Sequence, residues 1–83
     1  MSDKCDAYRI VLKDLEELVQ EVKEHVDIES AKDIAELLVG VAYRANYLDC
    51  IDWDELRRIE GVLENLEELE RARRMKKIRL GGR

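Results

Sequence analysis

Residues 31–48, with the sequence AKDIAELLVGVAYRANYL, decide the fold class of this 83-residue chain. Apolar residues recur in this segment every three or four positions, which is the period of an α-helix. They cover most of the helix circumference, and a helix this apolar is normally covered on more than one side. The segment therefore predicts a central helix with several neighbours. Its narrow polar stripe holds Asp33, Glu36, Gly40, Arg44 and Tyr47.

Another amphipathic helix is predicted before this segment. Apolar residues at helical spacing between Tyr8 and Val26 predict a first helix over residues 6–25. Residues 26–29 form a short turn, and Ser30 has the position of an N-cap for the central helix. The first two helices are therefore expected to form an antiparallel hairpin.

A long third helix completes the predicted domain. Asp52, with Glu55 three positions later, has the pattern of a capping box, which predicts a helix over residues 53–78. We expect residues 1–80 to form one all-α domain of three amphipathic helices and residues 81–83 to form a flexible tail.

The width of the apolar stripes indicates self-association. A chain of this length buries a little over about 60% of the surface that it exposes when unfolded, so one short bundle cannot cover three such stripes. We expect a homo-oligomer, a dimer or tetramer, in which the helices pack as a four-helix or larger bundle.

Composition bears on the source and compartment of the protein. Glu and Arg are abundant and Gln and His are scarce, a bias that favours a thermophilic source. No apolar run approaches the roughly 20 residues that span a bilayer, so we expect a cytoplasmic protein without membrane contact.

Cys5 and Cys50 lack a CxxC spacing; two free thiols are the favoured interpretation, and a disulfide is the alternative in a hyperthermophile.

Charge is divided unevenly along the chain. Residues 1–70 hold twenty acidic and eight basic residues, a net charge of −12, whereas residues 71–83 hold seven basic residues and no acidic one. The basic segment is interpreted first as a contact with the acidic surface of its own or a neighbouring subunit. Contact with nucleic acid is the less favoured alternative.

Two acidic pairs lie at one end of the predicted hairpin. Glu21 and Glu24 end the first helix, and Asp33 and Glu36 begin the second. If all four carboxylates turn inward, their mutual repulsion requires a hard cation, Mg²⁺ or Mn²⁺. The alternative is that such spacings arise by chance in an acidic chain and that Asp33 serves only as part of a cap.

Three segments carry a resemblance to a known family. They are LVQEVKE at residues 18–24, DIAELL at residues 33–38 and IDWDEL at residues 51–56, with a looser match in RRMKKIRLGG at residues 73–82. Together they resemble the MazG-type nucleoside triphosphate pyrophosphohydrolases, and most closely the short archaeal branch related to phosphoribosyl-ATP pyrophosphohydrolase.

The resemblance implies an all-α oligomer that uses Mg²⁺ to hydrolyse a nucleotide between its α- and β-phosphates, releasing a nucleoside monophosphate and pyrophosphate. The alternative that the resemblance leaves open is a degenerate member of this family, which has kept the fold and lost the activity. The implied metal ligands are Glu21, Glu24, Asp33 and Glu36. The candidate phosphate contacts are Arg44, Lys76, Lys77 and Arg79.

A different class of function is also compatible with the sequence. The chain is then a non-enzymatic helical oligomerisation or interaction protein, and its basic C-terminal segment contacts nucleic acid. In both cases the aromatic residues Tyr8, Tyr43, Tyr47 and Trp53 are expected mostly to pack, although Tyr47 could line a pocket for a base.

Overall fold

The computed structural model describes the backbone of residues 3–81 and the side chains of residues 3–75. It consists of three helices, α1 (Asp3–His25), α2 (Ile28–Tyr47) and α3 (Trp53–Gly81). The prediction of an all-α chain with three helices is therefore confirmed. Within the described residues, no helix is long and apolar enough to cross a membrane.

The turn between α1 and α2 differs from the prediction at its cap. Asp27 is the N-cap of α2, and its side chain accepts a hydrogen bond of 2.6 Å from the backbone N–H of Ser30. This bond, together with the Ser30 hydroxyl, lowers the pKa of Asp27, and the positive charge of Arg73 lowers it further. The prediction that Ser30 is the N-cap is wrong, because Ile28 packs against the core and the helix begins two residues before Ser30.

The turn between α2 and α3 ends α2 with a Schellman motif. The backbone N–H of Cys50 donates to the carbonyl of Ala45 at 2.8 Å, and that of Asp49 donates to the carbonyl of Asn46 at 2.9 Å. Asp49 has a φ of 64°, a left-handed conformation that Asp tolerates better than most residues. This turn reverses the chain so that α3 runs back along α2.

The central helix is α2, as its apolar circumference predicts. It packs against both α1 and α3, whose backbones do not approach each other within the described residues. Among residues 3–75, four of the eleven buried apolar residues are alanines of α2, and their small side chains let the flanking helices come close. The buried set is Leu12, Val19, Ala31, Ala35, Leu38, Ala42, Ala45, Cys50, Leu56, Ile59 and Leu66.

This arrangement makes an elongated molecule. Its radius of gyration is 15.3 Å, whereas a compact domain of this length has one of about 12 Å. The principal extents are 60 × 23 × 13 Å, so the three helices form a thin layer. Most domains bury their core between two layers, and this layer has no second one within the described chain.

The third helix is longer than predicted. Its start is confirmed, because the Asp52 carboxylate accepts a hydrogen bond of 2.9 Å from the N–H of Glu55. Glu70 forms an ion pair of 2.9 Å with Lys32 near the start of α2. Beyond Glu70, α3 continues to Gly81, a rise of about 16 Å past that contact. Of the predicted flexible tail, Gly81 is helical, and residues 82–83 lie outside the described residues.

A disulfide joins the first helix to the second turn. Cys5 and Cys50 are bonded, and their Cα atoms are 5.1 Å apart. The favoured interpretation of two free thiols is wrong. The antiparallel packing of α1 on α2 brings the beginning of α1 beside the end of α2, a proximity that cysteine spacing alone does not reveal.

Candidate interaction surface

The structure does not gather the four predicted metal ligands into one cleft. Glu21, Glu24, Asp33 and Glu36 are all exposed. The side chains described for residues 3–75 contain no group of three or more His, Cys, Asp or Glu that could hold a metal ion. Binding of Mg²⁺ or Mn²⁺ by these four residues stays a prediction.

The reason for this placement is the apolar contact between α1 and α2. Val19 and Ala35 are buried in that contact, and each acidic pair lies on the helix surface beside or behind these residues. Glu24 instead has His25 as its neighbour, with 3.9 Å between His25 Nε2 and Glu24 Oε1. The pairs therefore face solvent at the hairpin end.

The predicted phosphate contacts are dispersed. Arg44 is exposed on α2. Lys76, Lys77 and Arg79 lie within α3, but their side chains are outside the described part of the chain. Their contact with phosphate stays a prediction.

A charged groove separates α1 from α3, and its two arginines, Arg9 and Arg58, are hydrogen-bonded within the fold. Arg58 donates through both terminal nitrogens to the carboxylate of Glu16 on α1 and also to Glu55 on its own helix. These hydrogen bonds raise the pKa of Arg58. Arg9 donates to the carbonyl of Cys50 at 3.5 Å. Arg58 therefore links the two outer helices across the groove, and Arg9 links α1 to the turn between α2 and α3.

A different surface carries unburied apolar side chains. On α1, Val11 and Leu18 are 43% and 42% exposed, and on α2, Leu37 is 59% exposed. We call these three residues the outer seam. Half-buried apolar residues on the same side of the two helices pack against the core; they are Leu15, Val22, Ile34 and Val41.

Contacts to α3 show where the outer seam lies. On α2, Lys32 donates a hydrogen bond to Glu70 of α3, and Tyr43 donates one to Glu60 of α3. Leu37 lies on the other side of α2 from Lys32 and Tyr43. On α1, the side that faces α3 is marked by Glu16, and Val11 and Leu18 lie on the opposite side. The outer seam therefore follows the α1–α2 contact on the face turned away from α3.

Three aromatic side chains are exposed. Tyr43, Tyr47 and Trp53 are 49%, 78% and 64% exposed, so the expectation that they pack is wrong for these three. Tyr8 does pack against the core. The hydroxyl of Tyr43 donates to Glu60, and this bond raises the pKa of Tyr43. The position of Tyr47 in the polar stripe of α2 was the sequence signal for exposure.

Comparisons with known proteins do not supply a family. No protein-family model matches the chain, and no significant match appears among curated proteins or solved structures. The resemblance to the MazG-type pyrophosphohydrolases accordingly stays a prediction that rests on short motifs. The function is therefore inferred from the geometry of the chain.

Proposed function

We propose that this chain is a non-enzymatic helical interaction protein that self-associates through its outer seam. The observation that supports this function is the row of exposed Val11, Leu18 and Leu37, continuous with half-buried apolar residues along the α1–α2 contact. Isolated exposed apolar residues are ordinary, whereas a contiguous set on one face is typical of an interaction site.

A second copy of the chain is the occupant that fits best. The thin layer of helices has an uncovered side, and four alanines among the buried residues make its core small. A two-fold axis across the outer seam would bring two α1–α2 hairpins together as a four-helix bundle. Such an interface is the same patch on both copies, and it supplies the second layer that a stable core requires.

The free energy of association that the outer seam can supply is small. Each outer-seam side chain is about half exposed, so burying the remainder contributes of order 1 kcal/mol per residue, and a two-fold dimer buries six of them. Association itself costs at least about 4 kcal/mol. The six side chains alone therefore give a net of no more than about 2 kcal/mol, and a measurable dimer also requires further burial of the half-buried apolar residues beside them. We therefore expect a dimer that dissociates on dilution, and a single charge in the seam should disrupt it.

Sedimentation equilibrium of the full chain tests this proposal. Wild type should sediment as a dimer or larger species at high concentration, and Leu37→Lys should sediment as a monomer with its helical circular dichroism retained. The matched control is Ile10→Lys, because Ile10 is 61% exposed on α1 but lies on another side from Val11 and Leu18. A monomeric wild type, or equal effects of the two variants, would contradict the proposal.

The pyrophosphohydrolase activity that the resemblance implies is the second candidate. It is favoured by one observation, that both acidic pairs are exposed at the same end of the α1–α2 hairpin and are open to solvent-borne ligands. Its measurement is pyrophosphate release from nucleoside triphosphates with Mg²⁺, compared between wild type and Glu21→Ala with Glu24→Ala. The interaction protein proposed here should release none.

A further inference from the structure

We propose that the basic end of α3, residues 71–79, binds the phosphate backbone of nucleic acid. This segment holds six of the chain's fifteen basic residues, which are Arg71, Arg73, Arg74, Lys76, Lys77 and Arg79. Self-association through the outer seam does not require this binding, and the two proposals stand separately.

This segment begins beside the start of α2, where Arg73 is close enough to Asp27 to lower its pKa, and only its later part extends away from the acidic body. The ion pair of Glu70 with Lys32 is close to the start of α2, and α3 continues beyond it. Residues 1–70 carry a net charge of −12, which repels a polyanion from the rest of the molecule. A helix that extends past the hairpin allows phosphates to contact its cations while the acidic helices stay at a distance.

The described cations of this segment are available. Arg71, Arg73 and Arg74 are exposed. Arg74 has a 3.6 Å contact with Glu70, four residues earlier on the same helix, and its side chain is still 70% exposed. Within the side chains described for residues 3–75, neither Arg71 nor Arg73 has an ion-pair partner. These arginines have weaker partners in the fold than Arg58: Arg73 interacts with Asp27 through its charge alone, and Arg58 donates hydrogen bonds to two carboxylates.

Charge density favours nucleic acid over an acidic surface of a second copy. Six cations in nine helical residues rise over about 13 Å, which is one charge per roughly 2 Å, and duplex DNA carries one negative charge per about 1.7 Å of its axis. By comparison, α1 has seven acidic residues among its 23, interspersed with five basic ones counting His25. Residues 60–70 of α3 are more uniformly acidic, with five acidic residues and no basic one, but at about one charge per 3 Å they are still sparser than the basic segment.

Titration of a fluorescein-labelled DNA duplex by fluorescence anisotropy tests this inference. With six phosphate contacts, the slope of log K against log salt should be near −5, and affinity should fall about 10³-fold between roughly 50 and 200 mM salt. Arg71→Gln with Arg73→Gln and Arg74→Gln should reduce the slope by about 0.9 for each lost contact. Single-stranded DNA and duplex RNA of equal length then identify the preferred nucleic acid.

The matched control removes three cations from the body instead, as Lys4→Gln with Lys13→Gln and Arg57→Gln, and should leave the slope unchanged. The inference is overturned if wild type does not bind at low salt, or if the two triple variants behave alike. It is also overturned if polyglutamate displaces the duplex at equal charge concentration, because the segment would then recognise acidic protein surfaces. Loss of dimerisation in Leu37→Lys affects none of these comparisons.

Discussion

Cys5 and Cys50 connect the beginning of α1 to the turn that follows α2, with 5.1 Å between their Cα atoms although 45 residues separate them in sequence. The bond closes the α1–α2 hairpin at the end opposite its own turn. The two helices of the hairpin are therefore connected covalently at both ends, by the turn residues Val26 and Asp27 at one end and by the disulfide at the other.

The disulfide should be a large contribution to stability. Replacing both cysteines by serine, or reducing the bond, releases a loop of 45 residues in the unfolded chain, which lowers the free energy of unfolding by about 4 kcal/mol in the chain-entropy description. Urea denaturation with and without reductant measures the difference. The double serine variant should not respond to reductant, and a wild type that is equally stable in both conditions would contradict the expectation.

The N-cap of α2 can be assigned by two substitutions three residues apart. Asp27→Ala removes the acceptor for the Ser30 N–H and should lower the thermal midpoint. Ser30→Ala keeps the backbone N–H that donates this bond, so it should have the smaller effect. Thermal unfolding monitored by circular dichroism makes the comparison, and the reverse order would reinstate Ser30 as the cap.

The ion pair between α2 and α3 predicts a component of acid sensitivity. The hydrogen bond and charge of Lys32 lower the pKa of Glu70 below its ordinary value of 4.5. A lowered pKa in the folded state means that this stabilisation is fully present above about pH 4.5 and is lost as pH falls through the lower folded value. The thermal midpoint of Glu70→Gln should therefore fall less than that of wild type over this acid range.

Glu64→Gln provides the control for this pH dependence, because Glu64 is an exposed residue of the same helix. Its midpoint should follow the wild-type curve. If Glu70→Gln also follows that curve, the pair with Lys32 does not contribute to stability in solution.

Gly61 is a site at which the helix can be stabilised. Apart from the adjacent residues and the backbone of its own helix, no atom lies within 4 Å of the position that a Cβ would take there. Gly61→Ala should therefore raise the free energy of unfolding by up to about 1 kcal/mol through helix propensity. Ala72→Gly, at an exposed position of the same helix, should lower it. Urea midpoints of the two variants check both signs, and a loss of stability in Gly61→Ala would indicate a contact made in the oligomer.

Helical periodicity was sufficient to predict the three helices and the central position of α2. The pattern of Asp52 and Glu55 also located the start of α3, because a cap is a local interaction between residues close in sequence. The start of α2 was less determinate. Asp27 and Ser30 both have side chains that cap helices, and the packing of Ile28 decides between them.

Features that depend on packing could not be predicted in the same way. The bond between Cys5 and Cys50 depends on how far α1 runs beside α2. The exposure of Asp33, in contrast, was indicated by its place in the narrow polar stripe of the central helix. Exposure of Trp53 follows from its place at the first residue of α3, where apolar character alone suggested burial.

The disulfide also divides the chain into a covalent ring and an open arm. Residues 5–50 lie within the ring, and all of α3 lies beyond it. One proteolytic cut inside the ring leaves both products linked until the sulfurs are reduced, whereas one cut just after Cys50 leaves α3 held to α2 by noncovalent contacts alone. A single cleavage within the hairpin therefore leaves the chain covalently in one piece, whereas a single cleavage after Cys50 removes the covalent link between the hairpin and the basic end of α3.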